Sequence, residues 1–98
     1  MQHLPLEPIH PGEILNEDFL KEYGVSAYRA AEEMGVPRTR IERVVSGKNG
    51  ITADTALRLA QYFQNSPEFW LNLQRTYDLA TARNAAGDLS VIKPVKAA

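Results

Sequence analysis

The chain has 98 residues, 44% hydrophobic and 23% charged, with a formal net charge of −1 and no cysteine. That length is one domain's worth of chain, and the composition is that of a globular protein rather than a disordered one. Missing cysteines exclude disulfides, thiolate nucleophiles and Cys-based metal sites. No apolar run approaches the about 20 residues needed to span a bilayer, and "MQHLPLEP" lacks the basic start and apolar core of a signal peptide, so a cytoplasmic location is expected.

The first predicted helix opens at Pro11, a residue suited to a helix's first turn, with Glu13 near its positive end. Leu15, Phe19 and Tyr23 follow at four-residue spacing and form its apolar face; Gly24 ends it. Ser26 caps a second helix, whose inner face is Ala30, Ala31 and Met34, and Gly35 stops it in the left-handed conformation that such endings use. Pro37 opens a third helix with Ile41, Val44 and Val45 inward. Arg38, Thr39, Arg40, Glu42 and Arg43 are left for its outer face, and Ser46 to Gly50 read as a turn. Thr52 caps a fourth helix, with Asp54 in its first turn and Ala56, Leu59, Ala60 and Phe63 facing inward. Ser66-Pro67-Glu68 start a fifth, apolar on more than one side. Past Arg83 the signal weakens: "LSVI" fits a short strand or a flexible tail. The expectation is an all-α, five-helix, lambda-repressor-like helix-turn-helix domain over residues 1–83, with a C-terminal tail over 84–98.

Charge is distributed unevenly along these elements. Residues 7–33 hold seven acids against two bases, whereas residues 34–48 hold four bases against one acid. The basic segment starts at the end of the second helix and takes in the third helix and the turn after it, so the two helices are read as a pair. There Ala31 is small enough for a close helix crossing, Gly35 makes a tight turn, and Val36, Ile41 and Val44 fix the third helix onto the core. This is the sequence form of a helix-turn-helix, whose second helix lies in the DNA major groove. Arg38, Thr39, Arg40 and Arg43 then become candidates for base or phosphate contact, and Lys48 and Asn49 for a backbone phosphate.

Other chemistries have little support. His3 and His10 have no partner ligand at zinc spacing, so no metal is expected. Ser26 and Ser46 have no evident base, and adjacent Glu32 and Glu33 point to different helix faces, so no catalytic residue and no enzyme activity are expected. Trp70 and Tyr77 fit core or oligomer packing better than a ligand pocket, and neither a cofactor nor a small-molecule ligand is expected.

"HPGEIL" at 10–15, "GVPRTRIERVVSGKNGITADTALRLAQYF" at 35–63 and "SPEFWLNLQRTYDL" at 66–79 together resemble the HigA (VapI-like) antitoxins of the Xre-type helix-turn-helix group. The pairing of "ITADTALRLA" with "SPEFWLNLQ" is the most specific part. The resemblance implies a dimeric antitoxin that binds a HigB-type toxin, a small basic RelE-like ribonuclease cutting ribosome-associated mRNA, and that represses its own operon by binding operator DNA. It carries Arg38, Thr39, Arg40 and Arg43 over as DNA-facing residues. The sequence departs from the pattern at Ala27, where many Xre-type domains have a phosphate-contacting glutamine. Tyr28 and the Ser26 backbone are the candidates to replace it. The other reading left open is a stand-alone Xre-type transcriptional regulator with no toxin partner. Within the antitoxin reading, Trp70, Leu73 and Tyr77 on the fifth helix are the expected homodimer interface. The acidic residues Glu17, Asp18 and Glu22 are the candidate contact for a basic toxin.

Overall fold

Among the described residues, four of the five α-helices begin at a side chain that accepts a hydrogen bond from the helix's own first turn. The computed structural model describes residues 7–96, so His3 lies outside the described residues. His10 Nδ1 accepts from the Gly12 N–H at 2.9 Å and starts α1 (residues 11–23). Ser26 caps α2 (Ala27–Met34), Thr52 caps α4 (Ala53–Phe63) and Ser66 caps α5 (Pro67–Ala86), each accepting from the backbone three residues on. The exception is α3 (Arg38–Val45). Pro37 sits at its N-cap position, one residue earlier than expected from the sequence, and makes no capping bond.

Helix α1 is continuous but not uniform. An α-helical turn (Pro11–Ile14) passes into a π-helical stretch (Leu15–Leu20) and closes with Lys21–Tyr23. Wider i→i+5 turns bring residue i+5 onto the face of residue i. Leu20 therefore joins Leu15 in the core, while Tyr23, expected inside from α-helical spacing, stands 59% exposed with its ring tilted against that of Phe63. Phe19 packs between Phe63 and Trp70.

Left-handed residues end three of the helices: Gly24 closes α1, Gly35 closes α2, and Gln64 (φ 58°) closes α4. At the α2 end the Val36 N–H reaches back to the Ala31 carbonyl at 3.0 Å, and at the α4 end the Asn65 N–H reaches Ala60 at 3.0 Å. These bonds satisfy the last-turn carbonyls.

One core joins all five helices, built on Leu15, Ala31, Ile41, Leu59, Phe63 and Trp70. Ala31 is fully buried where α2 packs against α3. Trp70 is also fully buried, and its Nε1–H donates to Asn65 Oδ1 at 2.9 Å. This indole is a core group of the chain with no exposed surface to offer a partner, so it does not fit the dimer contact expected of it. Gly12 fixes α1 against the end of α3, since a β-carbon there would lie 1.8 Å from the Val44 carbonyl oxygen.

Of the two readings open for the tail, the short strand does not form. Helix α5 runs through Ala86, three residues past Arg83, and Asp88 caps a single 3-10 turn at Leu89–Val91. A strand needs a neighbour for its ladder, and no strand forms among the described residues. Nor is any helix there long and apolar enough to cross a membrane.

Candidate nucleic-acid interface

Helix α3 buries one side and presents the other. Ile41 and Val44 anchor it, so at about 100° per residue Thr39 and Arg43 fall near the centre of the outward face. Both are exposed. Arg38 and Arg40 project from opposite flanks, and both are held by neighbours. The guanidinium of Arg38 lies 5.1 Å from the Tyr28 ring centroid, which links α3 to the first turn of α2. Its Nε is 3.8 Å from Glu42 Oε2. Arg40 turns the other way, toward α4, and Nη1 donates to Asp54 Oδ2. The four residues therefore do not share one exposed stripe as their spacing suggested. Two occupy the centre, and two are flanking cations oriented by an aromatic ring and a carboxylate.

The ends of the site are built by caps. Ser26 Oγ accepts from the Arg29 N–H at 3.0 Å, which leaves its hydroxyl proton free to donate outward. Past α3, the Lys48 and Asn49 N–H groups both reach the Arg43 carbonyl, at 2.9 and 3.0 Å, and Gly47 takes φ 80° to allow this fold-back. With its carboxamide turned so that both ends are satisfied, Asn49 accepts from Arg43 Nε at 3.2 Å and donates to the Lys48 carbonyl at 2.9 Å. Lys48 remains exposed beside it. The surface thus runs from Ser26 and Tyr28, through Thr39 and Arg43, to Lys48.

Three residues that sequence reasoning passed over support this surface. Asp54 takes Arg40 and also Arg58, whose Nε lies 3.0 Å away. The two guanidinium groups, Arg40 first, hold the Asp54 carboxyl below its ordinary value of 3.8. Arg58 Nη1 also donates to the Met34 carbonyl at 2.8 Å, closing the end of α2. Gln74 on α5 accepts from the Ile51 N–H at 2.7 Å and steadies the loop before α4. An Asp two residues past a threonine cap is an ordinary first-turn acid, so only the approach of α3 to α4 gives it this role.

The remaining candidates are dispersed. Glu17, Asp18 and Glu22 lie exposed on α1. Lys21 pairs with Glu17 at 2.8 Å, and its hydrogen bond lowers the Glu17 pKa. Asp18 and Glu22 make no ion pair among the described residues. Leu73 and Tyr77 are half-buried on α5, beside Ile9, Ile14 and Ala80 in an apolar groove. His10 is spent as a helix cap and packs edge-on against Tyr77 at 4.9 Å. Among the described residues no cluster of His, Cys, Asp and Glu could hold a metal.

Two packed helices joined by a glycine turn, the second presented to solvent with cations at its flanks and end, define a helix-turn-helix protein. A family model described as Helix-turn-helix matches residues 17–70. The chain is 46% identical over 87 residues to virulence-associated protein I of Dichelobacter nodosus, covering 89% of this chain and 81% of that one. It is 38% identical over 84 residues to antitoxin HigA-1 of Vibrio cholerae, covering 86% and 79%. The structure of Pseudomonas aeruginosa antitoxin HigA with the higBA promoter superposes with a TM-score of 0.86 at 43% identity, covering 91% of this chain and 99% of that one. The chain belongs to the HigA (VapI-like) antitoxin family of Xre-type helix-turn-helix proteins, a family of DNA-binding antitoxins and regulators rather than enzymes.

Proposed function

We propose that this chain is the antitoxin of a HigBA-like pair. As a homodimer it binds the operator of its own operon through α3 and represses transcription. By direct protein contact it neutralises a RelE-like, mRNA-cleaving toxin. The observation that carries the DNA half is the exposed centre of α3, where Thr39 and Arg43 stand between the Arg38 and Arg40 flanks. Arginine can hold guanine O6 and N7 with two hydrogen bonds or clamp a phosphate, and the Ser26 hydroxyl and Lys48 suit phosphates at either end. The family's HigA members, one of them solved with its promoter, support the toxin half and the operator half alike.

The test is binding to the promoter DNA upstream of the chain's own gene, followed over a range of salt. Arg43→Ala is expected to lower operator affinity by about 1–3 kcal/mol and relax preference at one position. Lys48→Ala should weaken all sequences alike and flatten the salt dependence by about one counterion. If both variants bind like the parent, α3 is not the reading helix. For the toxin half, the product of the neighbouring gene should co-purify and lose its ribosome-dependent mRNA cleavage. Operator binding without such capture would leave a stand-alone regulator.

A further inference from the structure

Between α3 and the start of α4 runs a chain of hydrogen bonds that packing alone does not require. Asp54 Oδ2 takes a donor from Arg40 on α3 and another from Arg58 on α4. Arg58 continues to the Met34 carbonyl, the last residue of α2. One carboxylate oxygen thus ties the reading helix to a backbone atom of the helix before it. Arg40 gives only Nη1 to this chain. Among the described residues its Nε and Nη2 make no hydrogen bond, and the side chain is 38% exposed. Its remaining donors therefore stay available at the edge of the α3 surface.

We propose that Asp54 is a positioning residue for DNA reading: it aims the Arg40 guanidinium at the groove and so contributes to operator discrimination while lowering affinity for DNA in general. This rests on the reading of α3 as the DNA-facing helix. A carboxylate beside a polyanion repels it, so a device for affinity alone would not place one there. A free arginine samples many rotamers and loses that freedom when it docks. Here the guanidinium is already held on one edge, with a fork of donors remaining for a base or phosphate. Arg58 makes the hold rigid because it is anchored to backbone rather than to solvent.

Aim and charge leave opposite signatures on removal of the carboxylate. The experiment measures binding of wild type, Asp54→Asn and Asp54→Ala to the duplex upstream of the chain's own gene and to a random-sequence duplex of equal length. Its readout is the ratio of the two affinities. That ratio is read by the same folded molecules in both arms, so partial unfolding of a variant cancels. Both variants should bind random DNA more tightly than wild type. The ratio should fall by about fivefold in Asp54→Ala and by less in Asp54→Asn, whose amide oxygen still accepts from arginine. In an Arg40→Ala background the same substitutions should leave the ratio unchanged, because nothing remains to be aimed. An equal gain on both duplexes in the wild-type background would overturn the inference and reduce Asp54 to a repelling charge. A wild type with no preference for its own upstream DNA would overturn the reading of α3 itself, and the inference with it.

Discussion

Arg40 and Arg58 meet on a single oxygen of Asp54, and the consequence at the residue scale is a pH dependence. The folded-state pKa of Asp54 lies below its ordinary value of 3.8 because both guanidinium groups favour the charged form. The folded state then binds fewer protons at this group than the unfolded state does, so its contribution to stability is present above about pH 4. That contribution is lost as pH falls through the depressed value. Glu17, held by Lys21, and Glu33, held by Tyr62 and Arg29, shift the same way. Chemical denaturation of wild type and Asp54→Asn should differ at pH 7, with the difference shrinking as the pH is lowered toward 3. A difference that persists unchanged at pH 3 would show that the carboxylate's charge has no part in the tie. The spacing of the arginines was legible in the sequence, but the partner of Arg40 was not. Fourteen residues separate Arg40 from Asp54, and no helical period connects them.

Helix α1 shows the limit of periodicity at the element scale. Counting in fours placed Tyr23 inside and left Leu20 unassigned, but the π-helical stretch rotates the face so that Leu20 is buried and Tyr23 is not. Apolar spacing cannot announce such a stretch, because i+4 and i+5 both carry apolar residues here. The contact that locates α1 is better defined. Gly12 packs onto the last turn of α3, and a methyl group there would overlap the Val44 carbonyl. Gly12→Ala should cost about 3 kcal/mol or more, the upper end for overpacking. At about 4–8 °C per kcal/mol, the melting temperature should fall by about 12 °C or more. Because the displaced backbone is the end of α3, operator affinity should fall with it. A variant that melts like the parent would show that the two helices separate at little cost.

Assembly belongs to the whole molecule. A single recognition helix reads only a few base pairs, and two-fold dimers answer this by setting two such helices about 34–36 Å apart. Trp70 lies in the chain's own core, so the proposed interface on α5 rests on Leu73 and Tyr77. Tyr77→Ala should yield folded monomers with weakened operator binding, read by sedimentation at low micromolar concentration. Trp70→Ala should instead lower stability by about 3–5 kcal/mol without producing a stable monomer. A wild-type monomer in the same run would refute the dimer. The toxin contact is proposed for the acidic face of α1. Reversing Glu17, Asp18 and Glu22 to lysine should slow toxin association while operator binding survives, since complementary charge acts mainly on the encounter rate. An unchanged association rate would move the toxin site elsewhere on the chain.

By itself the sequence determined what short-range chemistry controls. Caps at Ser26, Thr52 and Ser66, the glycine turn at Gly35 and the buried spacing of Ile41 and Val44 placed the helices and identified the motif. They suffice because a helix start or a tight turn is decided by a few adjacent residues. The tertiary structure decided everything that depends on one helix meeting another. It sent Trp70 into the core, because α5 packs against α4 along that side. It also divided the four α3 candidates into a central pair and two tethered flanks, because Tyr28 and Asp54 arrive from different helices. The burial of one face of α3 can be read from spacing, but the neighbours of its edges depend on packing between elements distant in the chain.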